Sequence, residues 1–318
     1  MESLISAYIL DGDGGGNSIK MKDVAESEGL LWLHLYLDHP DTEKWLTEKS
    51  GLDHFIIEAM IAEDTRPRIL RHEKGSVIIL HGVNLNKDAE PDDMVSIRIW
   101  IEADRIITVR RESTKAIAEI EKKIAINKGP KNSGDFIVML IRRLLKIMEP
   151  TIEKLDDMVD LAEEKILLSP DDKLREAVSE VRFQAIVLKR YISPQKDVIK
   201  NLGYYDCDWL NSDHKMHIQE NCDIITRYVE DLNEIKDRCQ IVHDELENTL
   251  SYKLNRNMYM LSVIASIFLP LSFITSLFGI NVGGIPGGMD DFGFWWVCLL
   301  LGVFVLIQII MFKKLKWF

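Results

Sequence analysis

The chain has 318 residues, enough for about two domains, and carries 51 acidic against 39 basic side chains for a formal charge of −12. That balance argues against nucleic acid as a partner, because phosphate binding needs clustered Lys and Arg, and it is compatible with cations concentrating near the protein. The mean hydropathy of −0.04 hides a split, since residues 258–312 hold only two charged side chains, Asp290 and Asp291.

The start, Met1-Glu2-Ser3-Leu4-Ile5, has no basic stretch leading into a long apolar run and does not read as a signal peptide. Short apolar strands are predicted at Leu4–Leu10, Leu30–Leu37, Ile69–Arg71, Val77–Leu85, Val95–Glu102 and Arg105–Arg110, the last two joined by a tight turn at Glu102-Ala103-Asp104. Helices are predicted at Asp41–Lys49 and Asp53–Ala62, with Asp41 and Asp53 as N-caps, and at Thr114–Asn127. The run Asp11–Gly16 lacks the Gly-Lys-Ser/Thr ending of a phosphate loop and reads as a turn between strands. The paired acids Asp92-Asp93 read as a solvated turn.

From Ser133 the pattern is helical. One helix covers Gly134–Leu168, and a second covers Asp171–Leu202 with Ser169-Pro170-Asp171-Asp172 supplying its start. The third begins near Asp213 and meets neither Pro nor Gly until Pro270. If unbroken to Ile280 it extends roughly 100 Å at 1.5 Å per residue, a lever from cytosol to membrane.

Met258–Ile280 and Phe292–Phe312 are uncharged apolar runs of about the ~20 residues that a membrane helix needs. Lys253 and Arg256 precede the first, and Lys313, Lys314 and Lys316 follow the second, so both termini are expected in the cytoplasm. Trp295 and Trp296 would then lie at the outer interface, Trp317 and Phe318 at the inner one. The first span is dotted with hydroxyls. Asn255, Met258, Leu261, Ala265, Leu269, Ser272 and Ser276 recur at three- and four-residue steps and share one face. Small hydroxyl residues also serve ordinary helix packing. The stripe ends, however, at Gly279-Ile280-Asn281, whose amide and carbonyl oxygens suit a cation or its water shell, and a glycine-rich turn follows. Two spans cannot enclose a pore, so several copies would have to share one axis.

The expected architecture is α+β: a cytosolic mixed sheet with flanking helices over 1–132, long stalk helices over 133–257, and two C-terminal transmembrane helices within 258–318. The chain contains no nucleophile elbow, HExxH, Walker or kinase sequence, so no enzyme activity is expected. Two pairs on the third helix have metal-ligand spacing, His214 with His217 and Cys239 with His243, although two ligands do not close a site. The four cysteines, Cys207, Cys222, Cys239 and Cys298, fit no C-x-x-C pattern.

The stretches Ile267-Phe268-Leu269-Pro270-Leu271-Ser272-Phe273-Ile274 and Leu277-Phe278-Gly279-Ile280-Asn281 resemble the CorA superfamily of divalent cation transporters, with Ile280 where that family has methionine. That isoleucine, Val282-Gly283-Gly284-Ile285-Pro286, Arg66-Pro67-Arg68, His81-Gly82-Val83-Asn84-Leu85-Asn86 and Lys189-Arg190-Tyr191-Ile192-Ser193-Pro194-Gln195 are similar to its ZntB zinc branch. The resemblance implies a homopentamer in the cytoplasmic membrane. Gly279, Ile280 and Asn281 would be its selectivity ring, and Asn255, Met258, Leu261, Leu269, Ser272 and Ser276 its pore lining. It implies transported Zn2+, or Cd2+, Ni2+, Co2+ or Mg2+, with no permanently bound cofactor; proton coupling stays open. A magnesium or cobalt channel gated by cytosolic metal is the second reading, and a membrane-anchored scaffold a third.

Overall fold

The computed structural model describes residues 4–20, 29–63, 66–87, 89, 93–168, 172–280 and 292–314. Asp92, the Ser169–Asp171 helix start, Asn281 with the turn that follows it, Asp290, Asp291, Lys316, Trp317 and Phe318 lie outside the described residues. The chain divides into two compact units, Met1–Glu245 and Leu246–Phe318.

The first unit is built on a seven-stranded sheet: β1 (Leu4–Leu10), β2 (Gly16–Ser18), β3 (Leu30–Tyr36), β4 (Arg68–Arg71), β5 (Ser76–Gly82), β6 (Val95–Ile101) and β7 (Arg105–Arg110). Its order is β2-β1-β3-β7-β6-β5-β4, with β3 and β7 parallel and every other pair antiparallel. Buried side chains alternate between its faces, as the two-residue period of a strand requires. Leu33, Leu35, Ile79, Trp100 and Ile107 join α1 (Pro40–Glu48) and α2 (His54–Ile61) in one cluster. Trp32, Ile78, Leu80, Ile97, Ile99 and Ile106 join α3 (Lys115–Ala125) and the long helices in the other.

Three helix starts follow from side-chain caps. Asp53 accepts from Phe55 N–H at 2.8 Å, and Thr114 accepts from Ala116 N–H at 3.3 Å. The first helix departs from expectation: His39 caps it through Nδ1, and Asp41 falls in its first turn as the donor of that bond. Asp11 closes the β1–β2 turn by accepting from Asp13 N–H at 2.8 Å and Gly15 N–H at 2.9 Å, while Gly12 and Gly14 adopt φ of 82° and 102°. The Asp13 N–H also holds the Asp11 carboxyl below its usual range.

The long helices are α4 (Ser133–Leu168), α5 (Asp172–Gly203) and α6 (Ser212–Gly279), the last contributing residues to both units. Their buried positions keep three- and four-residue steps, as in Phe136, Leu140, Leu144, Met148, Ile152, Leu155, Val159 and Ala162 of α4, or Ile218, Cys222, Ile225, Val229, Leu232, Ile235, Cys239 and Val242 of α6. Sheet and helices thereby share one core. Two sequence stretches distant along the chain meet on it. The His81 ring stacks on Tyr191 at 4.9 Å and His81 N–H donates to Gln195 Oε1 at 2.6 Å. At Gly82 β5 lies close against α4, where an added Cβ would stand 2.8 Å from Leu144 Cδ2.

One buried network gives the first unit a pH dependence. Thr108 Oγ1 accepts from Trp32 Nε1–H at 2.9 Å and lies within bonding distance of Leu33 O (3.2 Å) and of His34 Nδ1 (2.8 Å). Burial, reinforced by the Arg110 guanidinium, lowers the His34 pKa to about 3. The folded chain therefore keeps His34 neutral, whereas the unfolded chain protonates it below about 6.5. Its contribution is complete above that pH and is lost as pH falls towards 3, at up to about 1.4 kcal/mol per unit. Between pH 6.5 and 5 the loss is expected to reach about 2 kcal/mol. His34→Gln should flatten that slope in urea unfolding, and an unchanged slope would reject the assignment.

Candidate functional site

In the second unit, the apolar part of α6 and the helix α7 (Gly293–Lys314) are long and apolar enough to cross a membrane. Only 6% of the most apolar stretch of each is buried within the chain, the reverse of a soluble core helix. The contact between them uses Val263, Gln308 and Phe312, which are buried, and Gln308 Nε2 donates to Ser266 O at 3.2 Å.

The stripe Asn255, Met258, Leu261, Ala265, Leu269, Ser272, Ser276 is exposed at every position. At 100° per residue its centre lies roughly 150° around α6 from Val263. The chain's own second span therefore packs elsewhere, and the stripe stays exposed among the described residues. Other hydroxyls turn onto their own helix: Ser262 donates to Met258 O, Ser266 to Ser262 O, and Thr275 to Leu271 O or Ser272 O, at 2.7–3.0 Å. Those three groups are already satisfied, as hydrocarbon surroundings demand. Gly279 ends α6 and Ile280 follows it, both exposed; their partner in the expected filter, Asn281, lies outside the described residues.

Both histidines of the first metal-ligand pair are drawn into other bonds, and Cys239 of the second is buried in the apolar core. His214 is buried, with Nε2 3.0 Å from Asp135 Oδ1 and Nδ1 accepting from Asn211 N–H at 3.2 Å; Asn211 Oδ1 in return accepts from His214 N–H. Its ring lies so close to Gly134 that a Cβ there would collide with it. His217 is exposed and pairs with Glu220 at 3.0 Å. Cys239 is buried among Met158, Val159, Ala162, Val178 and Val181, and that burial pushes its thiol up to about 11, away from the thiolate that binds zinc. His243 is half-buried. Among the described residues no group of three or more His, Cys, Asp or Glu side chains is arranged to hold a metal ion.

Sequence reasoning missed the acidic seam between α4 and α6. Arg238 of α6 bonds Asp156 (2.8 Å), Asp160 and Glu163 (2.7 Å) of α4, and this pairing holds the Glu163 carboxyl below its usual range. Beside it Ile152, Glu153, Asp156, Asp231 and Glu234 line a cleft of about 180 Å³. Burial, offset in part by Arg227, raises the Asp231 pKa. The signal was in the sequence, as acids of α4 at three- and four-residue steps, but their facing partners depend on helix register.

The chain matches the family model described as CorA-like Mg2+ transporter protein over residues 27–314. It belongs to that family. It is 36% identical over 324 residues to the divalent cation transporter CmaX of Pseudomonas aeruginosa, covering 99% of this chain and 96% of the relative. It is also 36% identical over 314 residues to the zinc transport protein ZntB of Yersinia enterocolitica, covering 98% and 95%. A solved structure of full-length CmaX superposes with a TM-score of 0.87 at 34% identity, over 99% of this chain and 98% of that one. As a member of the CorA-like family the chain is a divalent cation transporter and not an enzyme. The mixed sheet with flanking helices, the long helices and the two terminal apolar helices agree with the architecture expected from sequence.

Proposed function

We propose that five copies of this chain surround one pathway through the cytoplasmic membrane, that zinc is its principal cargo, and that protons accompany it. The observation that carries the reading is the face of α6 formed by Asn255, Met258, Leu261, Leu269, Ser272 and Ser276, which is exposed among the described residues, and two spans enclose nothing alone. In an assembly this face lines the axis, with Gly279, Ile280 and Asn281 as the filter at its end. Lys253 and Arg256 before the first span and Lys313, Lys314 and Lys316 after the second support a topology with both termini in the cytoplasm. The name of the ZntB relative supports zinc. We assign His214 to anchoring α6 on Asp135, and Cys239 to the core, rather than to metal.

Uptake by proteoliposomes, with zinc and with magnesium, each with and without a pH gradient, tests the reading. Zinc flux that responds to the gradient is expected. Magnesium flux indifferent to it would favour the second reading, a magnesium channel, which the family's description supports. Absence of flux with either ion would leave a scaffold.

A further inference from the structure

Pro270 lies inside α6 and has no N–H, so the carbonyl four residues earlier, Ser266 O, loses its helical donor. In hydrocarbon an unmade backbone bond is expensive, and a membrane helix tolerates proline where a neighbour replaces the missing donor. Here the neighbour is on α7: Gln308 Nε2 donates to Ser266 O at 3.2 Å. Gln308 is the one polar side chain between Gly302 and Lys313, and it is buried where most of the surrounding large apolar side chains are exposed. The nearby hydroxyls of Ser262, Ser266 and Thr275 bond other carbonyls. An amide on the second span thus stands in for the peptide N–H that the first span lacks.

We propose that Gln308 is a positioning residue for transport. By capping Ser266 O it holds the Pro270 segment in one backbone geometry, and so keeps the two halves of the stripe, Asn255–Ala265 and Leu269–Ser276, on a common face. The inference rests on the reading that α6 lines the pathway. Without the cap the halves swivel about Pro270 and the lining loses register.

The test is a double-mutant cycle on the full chain, with zinc and magnesium as the probe ions in proteoliposomes. Gln308→Met keeps length and removes the donor; Pro270→Ala returns an N–H to Ser266 O and makes Gln308 redundant. Gln308→Met alone is expected to lower maximal uptake roughly fivefold, the scale of one hydrogen bond, while the half-saturating ion concentration stays within about twofold. Added to Pro270→Ala, it should change uptake by less than about twofold. Equal losses in both backgrounds would overturn the proposal, since a packing role survives Pro270→Ala. If Gln308→Met does not assemble, recovery of assembly in the double variant supports the proposal and failure to recover rejects it; Pro270→Leu replaces Pro270→Ala should the latter not assemble. A native chain that moves neither ion defeats the transport reading, and the thermal stabilities of the four proteins then decide separately whether Gln308 and Pro270 are coupled.

Discussion

Asn281→Ala is expected to lower saturable divalent-cation uptake at least roughly tenfold while the protein elutes from a sizing column at its native volume. The size of the effect follows from repetition. A single amide contact to a hydrated ion is worth about 1 kcal/mol, but a ring of copies loses one such contact in every subunit at once, so the change at the axis is a multiple of that figure. In the sequence Asn281 ends an apolar run rather than interrupting it, and assembly is expected to survive. Undiminished uptake by a fully assembled variant would remove Asn281 from the filter and shift attention to the backbone oxygens of Gly279 and Ile280.

The largest expected loss of stability is at Trp32. Its ring is fully buried, stacks on Tyr8 at 5.6 Å, meets Phe136 of α4 edge-on at 5.0 Å, and donates to Thr108 at 2.9 Å. Trp32→Ala should cost about 3–5 kcal/mol in urea unfolding, because the sheet and α4 are both too constrained to close the void. Trp32→Phe keeps most of the ring and loses the N–H bond, for about 1 kcal/mol plus the smaller packing term. Thr108 is not orphaned by either change, since it still bonds Leu33 O and His34. A Trp32→Ala loss below about 1 kcal/mol would mean that α4 repacks onto the sheet.

Most of the architecture was legible because it is written in repeated patterns. Strands β3, β5, β6 and β7 alternate or run apolar, and the helical arms keep their apolar steps over dozens of residues, so position and type followed from the sequence. The failures were local. β2 is Gly16-Asn17-Ser18, with no apolar residue to betray it, and it forms only because the Asp11 turn folds it back on β1. His39 displaced Asp41 as cap because its Nδ1 reaches the Asp41 N–H. Arg98 lies fully buried in β6, its guanidinium donating to Ala62 O at 2.8 Å and its pKa lowered to about 10 by burial, a burial that the strand pattern did not reveal. Site chemistry was less readable still. Cys239 and His243 share a face by spacing, yet spacing is silent on whether that face is wet, and for Cys239 it is dry. The Gln308–Ser266 bond depends on how two helices cross, which periodicity does not encode.

The two strands that bound the sheet, β2 and β4, are three and four residues long, and β4 begins and ends on arginine. Such short edges offer few free peptide groups, and β4 also carries charge, so another chain gains little by adding a strand to either. Continuation of the sheet from copy to copy is therefore closed as a route of association. Association of copies in the proposed assembly would then fall to other surfaces, such as the exposed face of α6.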